Sequence, residues 1–191
     1  MNKTRTALFG GSFDPVHLGH VSLGRAVLEN DLADEVWFLV TPQNPHKQAM
    51  SLTDENERLR MVELALAGEA GLSASDFEFT LPRPSYTINT LDALEKAFPD
   101  RDFVLLMGAD NWRKIDKWYK SDEILARFGV VVYPRGDEQI PQLPANVKWL
   151  ASKLYDISST EIREALACGG DMSQWLHPDV CAYIKDKGLY K

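Results

Sequence analysis

Two histidines three residues apart, His17 and His20, follow a glycine pair, Gly10 and Gly11, in the stretch GGSFDPVHLGH. An imidazole can donate a hydrogen bond, accept one, or carry positive charge near neutral pH, so a pair of them suits binding of an oxyanion. If a helix starts near Leu18, both rings lie on one face of its first turn. That end of a helix presents unpaired N–H groups and a partial positive charge, which attract phosphate. The glycines are expected to let the backbone turn sharply and approach a ligand closely. A metal site built from His17, His20 and Asp14 is the competing reading. It is weaker, because no further His or Cys cluster lies nearby and one carboxylate leaves a zinc shell incomplete. The plainest alternative makes Asp14 a turn residue and the histidines solvated surface groups.

A second anion-binding pattern lies far away, in DISSTEIREAL (156–166). Ser158 and Glu161 have the spacing of a capping box, and Ser159 and Thr160 add hydroxyls at a helix start. Arg163 sits one turn along, where a planar guanidinium can bond two oxygens at once. The pattern also describes an ordinary well-capped helix, and the two roles are compatible. Together the two segments fit a polyphosphate held from both ends.

These residues need elements to position them. TRTALFG (4–10), EVWFLVT (35–41), DFVLLMG (102–108) and GVVVYP (129–134) read as buried strands, with VKWLAS (147–152) as a last one. DFEFTL (76–81) alternates apolar and polar residues and is expected to be a strand too. Helices are expected over 18–30, 53–68 and 88–98, as two short pieces over 109–128, and over 158–169 and 177–190. PQNPHKQAMSL, between the second strand and the second long helix, reads as a loop. Strands that are apolar throughout and alternate with helices imply an α/β fold, a doubly wound parallel sheet with both faces covered and C-terminal helices appended. Residues 1–191 read as one domain, without linker or repeat. In such a sheet ligands collect beyond the carboxyl ends of the strands, where the Gly10–His17 loop must lie.

Composition narrows the ligand. A net charge of −7 argues against nucleic acid and anionic membranes as partners, though it leaves room for a local cationic pocket. No run approaches the ~20 apolar residues of a membrane span. The first eleven residues offer too short an apolar stretch for a signal peptide. Cys168 and Cys181 match no metal spacing and read as free thiols, which points to the cytoplasm. A homo-oligomer is compatible with the sequence. No Ser or Cys is paired with a base as an activated nucleophile would be.

GGSFDPVHLGH with ISSTEIR resembles the signature pair of the nucleotidyltransferase superfamily, whose fold is shared with class I aminoacyl-tRNA synthetases. PHK (45–47), PSYT (84–87), GAD (108–110), KWY (117–119) and IKDKGLY narrow the resemblance to bacterial nicotinate-nucleotide adenylyltransferases. The resemblance implies a Rossmann-like fold and adenylyl transfer from ATP to nicotinate mononucleotide, releasing pyrophosphate. It implies that His17 and His20 meet the ATP phosphates, that Gly10 and Gly11 border them, and that Ser159, Thr160 and Arg163 hold the outer phosphates. Lys47 would reach the reacting phosphates, and Mg²⁺ would be held mainly by ATP, with no protein metal site. Gly108 would allow close approach, and Asp110 would meet ribose or base. Ser12 and Phe13 would line the acceptor's phosphate and ring, backbone N–H groups at Tyr86 and Thr87 its carboxylate, and Trp118 its pyridinium face. Trp112, within DNW, departs from the family pattern. The rivals are another adenylyltransferase, with a nicotinamide mononucleotide, phosphopantetheine or flavin mononucleotide acceptor, and a non-catalytic nucleotide-binding module.

Overall fold

The computed structural model describes residues 3–42, 52–134, 143–151 and 157–191. Six parallel strands form one sheet in the order β3-β2-β1-β4-β5-β6. They are β1 (Thr4–Gly11), β2 (Glu35–Val40), β3 (Leu72–Ser75), β4 (Arg101–Gly108), β5 (Gly129–Tyr133) and β6 (Val147–Trp149). The helices are α1 (Leu18–Glu29), α2 (Glu55–Ala65), α3 (Thr87–Ala97), α4 (Ala109–Trp112), α5 (Ser121–Arg127), α6 (Ser159–Ala167) and α7 (Pro178–Lys187).

The sheet is covered on both faces because its strands are apolar on both. Alternation along β1 sends Ala7 and Phe9 to one side and Leu8 to the other. Ala7 and Phe9 join a core with Val21 and Val27 of α1, Met61 and Val62 of α2, Ile162 of α6 and Val180 of α7. Leu8 joins a second core with Ile88, Leu91 and Leu94 of α3 and Ile124 of α5. β1 is the central strand, with Phe9 in register between Phe38 of β2 and Leu106 of β4. The chain reverses its direction of winding between β1 and β4, which opens a crevice beyond their carboxyl ends. No helix among the described residues is long and apolar enough to cross a membrane.

One expected element is displaced. The third strand is LSAS (72–75), paired with β2 from Val36↔Leu72 to Leu39↔Ser75. The alternating segment DFEFTL instead forms a 3-10 turn over Phe77–Thr80. The reason is its place at the end of the edge strand. Phe77 packs against one core and Phe79 against the other, so the two rings straddle the sheet rather than sharing a face. The polar residue between them, Glu78, is the buried one, at 6 % exposure.

Candidate nucleotide-binding site

The glycine pair does not make the turn that its sequence suggests. Gly10 and Gly11 are the last residues of β1, paired with Leu39 and Val40, and the left-handed position falls on Phe13 (φ 46°). A side chain at Gly11 would meet the Phe13 ring at 3.0 Å, so Gly11 is what lets that ring fold back over the strand. The ring then packs edge-on against Phe9, 5.4 Å between centroids, and against His20, 5.1 Å. Tertiary packing of this kind offsets the cost of a left-handed non-glycine residue. Phe13 is buried, so what it can offer a ligand is backbone. Above Gly10 there is open space instead.

His17 is the N-cap of α1 and His20 lies in its first turn, and their rings approach to 3.7 Å between centroids. Helical spacing therefore brings the pair together as expected. The His17 backbone N–H donates to His20 Nδ1 at 3.2 Å. A ring nitrogen that accepts carries no proton, so the neutral His20 ring is protonated on Nε2. No acidic residue occupies the first turn of α1 to compete for an anion.

The two remote segments converge. Ser159 Oγ donates to the Pro15 carbonyl at 2.9 Å, and Arg163 Nη1 donates to the Asp14 carbonyl at 2.6 Å. Arg163 Nη2 also reaches Thr160 Oγ1 at 3.2 Å. The capping box is present: Ser158 Oγ accepts from Glu161 N–H, and Glu161 Oε2 accepts from Ser158 N–H at 2.7 Å. The Ser158 hydroxyl and N–H hold the Glu161 carboxyl below its ordinary value. Across the crevice, Gly108 is buried at the end of β4, and Asp110 is half-buried in the first turn of α4.

The α3 end is separate. Tyr86, 42 % exposed, is the N-cap of α3, and Thr87 is its first residue. No side chain caps that helix, and its first turn holds no acidic residue. The Tyr86 ring lies 5.0 Å from that of Tyr119, which places the 86–87 segment beside the residue next to Trp118. Trp118 and Trp112 are half-buried against the second core. Beneath the helix start, Thr90 Oγ1 donates to Glu78 Oε1 at 2.8 Å, while Oε2 makes no hydrogen bond among the described residues. Burial pushes the Glu78 carboxyl up, and the Thr90 and Thr41 hydroxyls offset only part of that.

Two further residues went unassigned in the sequence. Arg58 is 1 % exposed, and its guanidinium donates to four carbonyls: Ser12 (2.7 Å), Thr41 (2.9 Å), Pro42 (3.2 Å) and Thr53 (2.8 Å). Burial pulls this guanidinium down, and Asp14 is the leading opposing charge. Its signal was its position, since Arg58, Met61, Val62 and Ala65 share the inward face of α2. Tyr190 donates to Asp14 Oδ1 at 2.5 Å, and Thr53 N–H donates to Oδ2 at 3.2 Å. Asp14 therefore has both oxygens engaged, which makes it a poor metal ligand. Among the described residues no three His, Cys, Asp or Glu converge as a metal site would require. Lys47, with the rest of PHK, lies outside the described residues.

Comparison with known proteins agrees with this arrangement. The family model described as cytidylyltransferase-like matches residues 8–165. A Bacteroides fragilis protein named "probable nicotinate-nucleotide adenylyltransferase" is 47 % identical over 94 % of this chain and 90 % of its own. A Bacteroides thetaiotaomicron protein of the same name is 44 % identical over 97 % and 93 %. The fold matches that of Plasmodium falciparum nicotinic acid mononucleotide adenylyltransferase, solved with NaAD, at a TM-score of 0.80 and 20 % identity over 98 % and 97 % of the two chains. With the histidine loop and the capped start of α6 inside the matched span, the chain belongs to the nicotinate-nucleotide adenylyltransferase family of cytidylyltransferase-like enzymes.

Proposed function

We propose that this protein, as a single nucleotidyltransferase unit, joins ATP to nicotinate mononucleotide, giving nicotinate adenine dinucleotide and pyrophosphate. A phosphate oxygen of the mononucleotide attacks the α-phosphorus of ATP, and the bond to the β-phosphate oxygen breaks as pyrophosphate leaves. The observation that carries this reading is the joining of residues 12–20 to residues 159–163 through Ser159–Pro15 and Arg163–Asp14. It ties the donor-rich start of α6 to the loop that leads into α1, which supports a shared grip on one polyphosphate.

His20 Nε2–H and His17 face the transferring phosphate, where charge builds up in the transition state. Ser159, Thr160 and Arg163 hold the leaving pyrophosphate. Arg163 spends two donors on Asp14 and Thr160, which fixes the guanidinium plane and leaves its other N–H groups for phosphate oxygens. Lys47 adds a cation to the reacting phosphates. Gly108 and Asp110 border the nucleoside. Mg²⁺ enters as part of the substrate, bound to the ATP phosphates and water.

The acceptor's carboxylate meets the uncapped N-terminus of α3 at Tyr86–Thr87, and Trp118 covers the pyridinium ring. Ser12 and the Phe13 backbone border the acceptor's phosphate.

Pyrophosphate release from ATP tests the reading, with nicotinate mononucleotide, its amide, phosphopantetheine and flavin mononucleotide offered in turn. Nicotinate mononucleotide is expected to give the highest kcat/KM, at least about tenfold above the amide, since one charge-assisted contact is worth ~1.4 kcal/mol or more. Equal values for acid and amide would remove the role of the α3 terminus. Release with none of the four would point to a non-catalytic nucleotide-binding module.

A further inference from the structure

We infer that Tyr190 is a positioning residue for this reaction: its hydroxyl latches Asp14 and so holds the histidine loop in register with Arg163. The inference rests on the adenylyl-transfer reading above. Tyr190 follows α7, whose C-cap Gly188 is left-handed (φ 64°), and Tyr190 is itself left-handed (φ 61°). Two such turns bring the ring back against the first core, beside Met61, rather than out to solvent. For a bulky non-glycine residue that conformation persists only where tertiary contacts fix it.

The contact that fixes it is with the loop. Asp14 is 1 % exposed, and its carboxylate has two hydrogen-bond partners, Tyr190 OH and Thr53 N–H, with Arg58 as the nearby cation. The Asp14 carbonyl meanwhile accepts from Arg163. One residue thus ties a phosphate-facing arginine, the segment leading into α2, and Tyr190 to the loop that carries His17. Removing the Tyr190 hydroxyl leaves Oδ1 buried without a donor, a state the loop relieves by moving. A shift of about 1 Å between catalytic groups is enough to cost ~10²-fold in rate. Among the described residues no hydrogen bond joins Tyr86 or Thr87 to Asp14 or Tyr190, so the contact proposed for the acceptor's carboxylate is spared.

Tyr190→Phe keeps the ring and removes only the hydroxyl. It is expected to lower kcat about 10- to 100-fold, to leave the preference for nicotinate over nicotinamide mononucleotide within about twofold, and to speed hydrogen exchange of the backbone amides between Asp14 and His20. Asp14→Asn keeps an acceptor for Tyr190 but turns an NH2 toward the Thr53 N–H and removes the charge beside Arg58, so it is expected to lose at least as much activity as Tyr190→Phe. On the Asp14→Asn background, Tyr190→Phe should cost less in kcat than it does in wild type, as members of one contact are not additive. Tyr190→Phe with unchanged kcat and unchanged loop exchange overturns the latch. So does a loss fully accounted for by a smaller folded fraction. The exchange measurement needs no turnover: an inactive wild-type protein whose loop still loosens in Tyr190→Phe would overturn the adenylyl-transfer reading and leave the latch standing.

Discussion

His20 shows how one backbone contact can decide what a side chain offers to the proposed reaction. Its Nδ1 accepts from the His17 N–H, so in the neutral ring Nε2 carries the proton that the proposed phosphate contact requires. His20→Gln places an N–H donor near the former Nε2, whereas the shorter Asn reaches only the Nδ1 position. Gln is therefore expected to retain more kcat than Asn, and His20→Ala to lose about 10²- to 10³-fold, as removal of one oxyanion donor does. Steady-state rates on variants with wild-type circular dichroism check the order; Asn above Gln would reverse the assigned tautomer. The histidine pair was legible because three-residue spacing on a helix has one geometric meaning. Arg58 was not, because ENERLR reads as a solvated, charged helix start. Its one signal, the i, i+3, i+4 spacing to Met61 and Val62, is outweighed there by the charges on either side, and the fold shows that the inward face is shared.

Strand and helix periods located β1, β2, β4, β5 and α1–α3 because those elements bury continuous faces. β3 escaped for the opposite reason: four residues at a sheet edge bury little, and LSAS carries no apolar pattern. The turn that follows mimicked a strand because its rings serve two cores. Its buried Glu78 makes a testable link between the turn and α3. A carboxyl whose folded value lies above its unfolded one costs stability once pH exceeds the unfolded value, near 4.3, and costs nothing below it. Glu78→Gln removes that titration and keeps an acceptor for Thr90. The difference in Tm, variant minus wild type, is expected to grow as pH rises from about 4 to 7. Thermal melts across that range decide it; a difference independent of pH would mean that Glu78 folds as readily ionised as neutral.

The two cores lie on opposite faces of the sheet, and the candidate site sits beyond its carboxyl edge, where Phe13 and Val16 root the histidine loop in the first core but the polar segments around it need a further tie. Arg58 answers that need. It projects from a helix packed in the first core and bonds carbonyls from the loop after β1, the segment after β2 and the lead into α2. Its charge also faces Asp14, the acceptor of Tyr190. Arg58→Met fills similar space but leaves four carbonyls and a buried carboxylate without their cation. Breaking such a site costs on the order of 3 kcal/mol or more, which lowers Tm by about 6–12 °C in a domain of this size. Arg58→Lys restores charge but not the planar fork, since one ammonium cannot reach carbonyls on several sides, so it should fall between the two. ATP at about 100 times its Kd stabilises a competent site by ~2.7 kcal/mol. Wild type should gain that on ligand addition, whereas Arg58→Met should gain less, because its loops must be ordered first. Equal ATP-induced shifts in Tm would show that Arg58 stabilises the molecule without shaping the crevice.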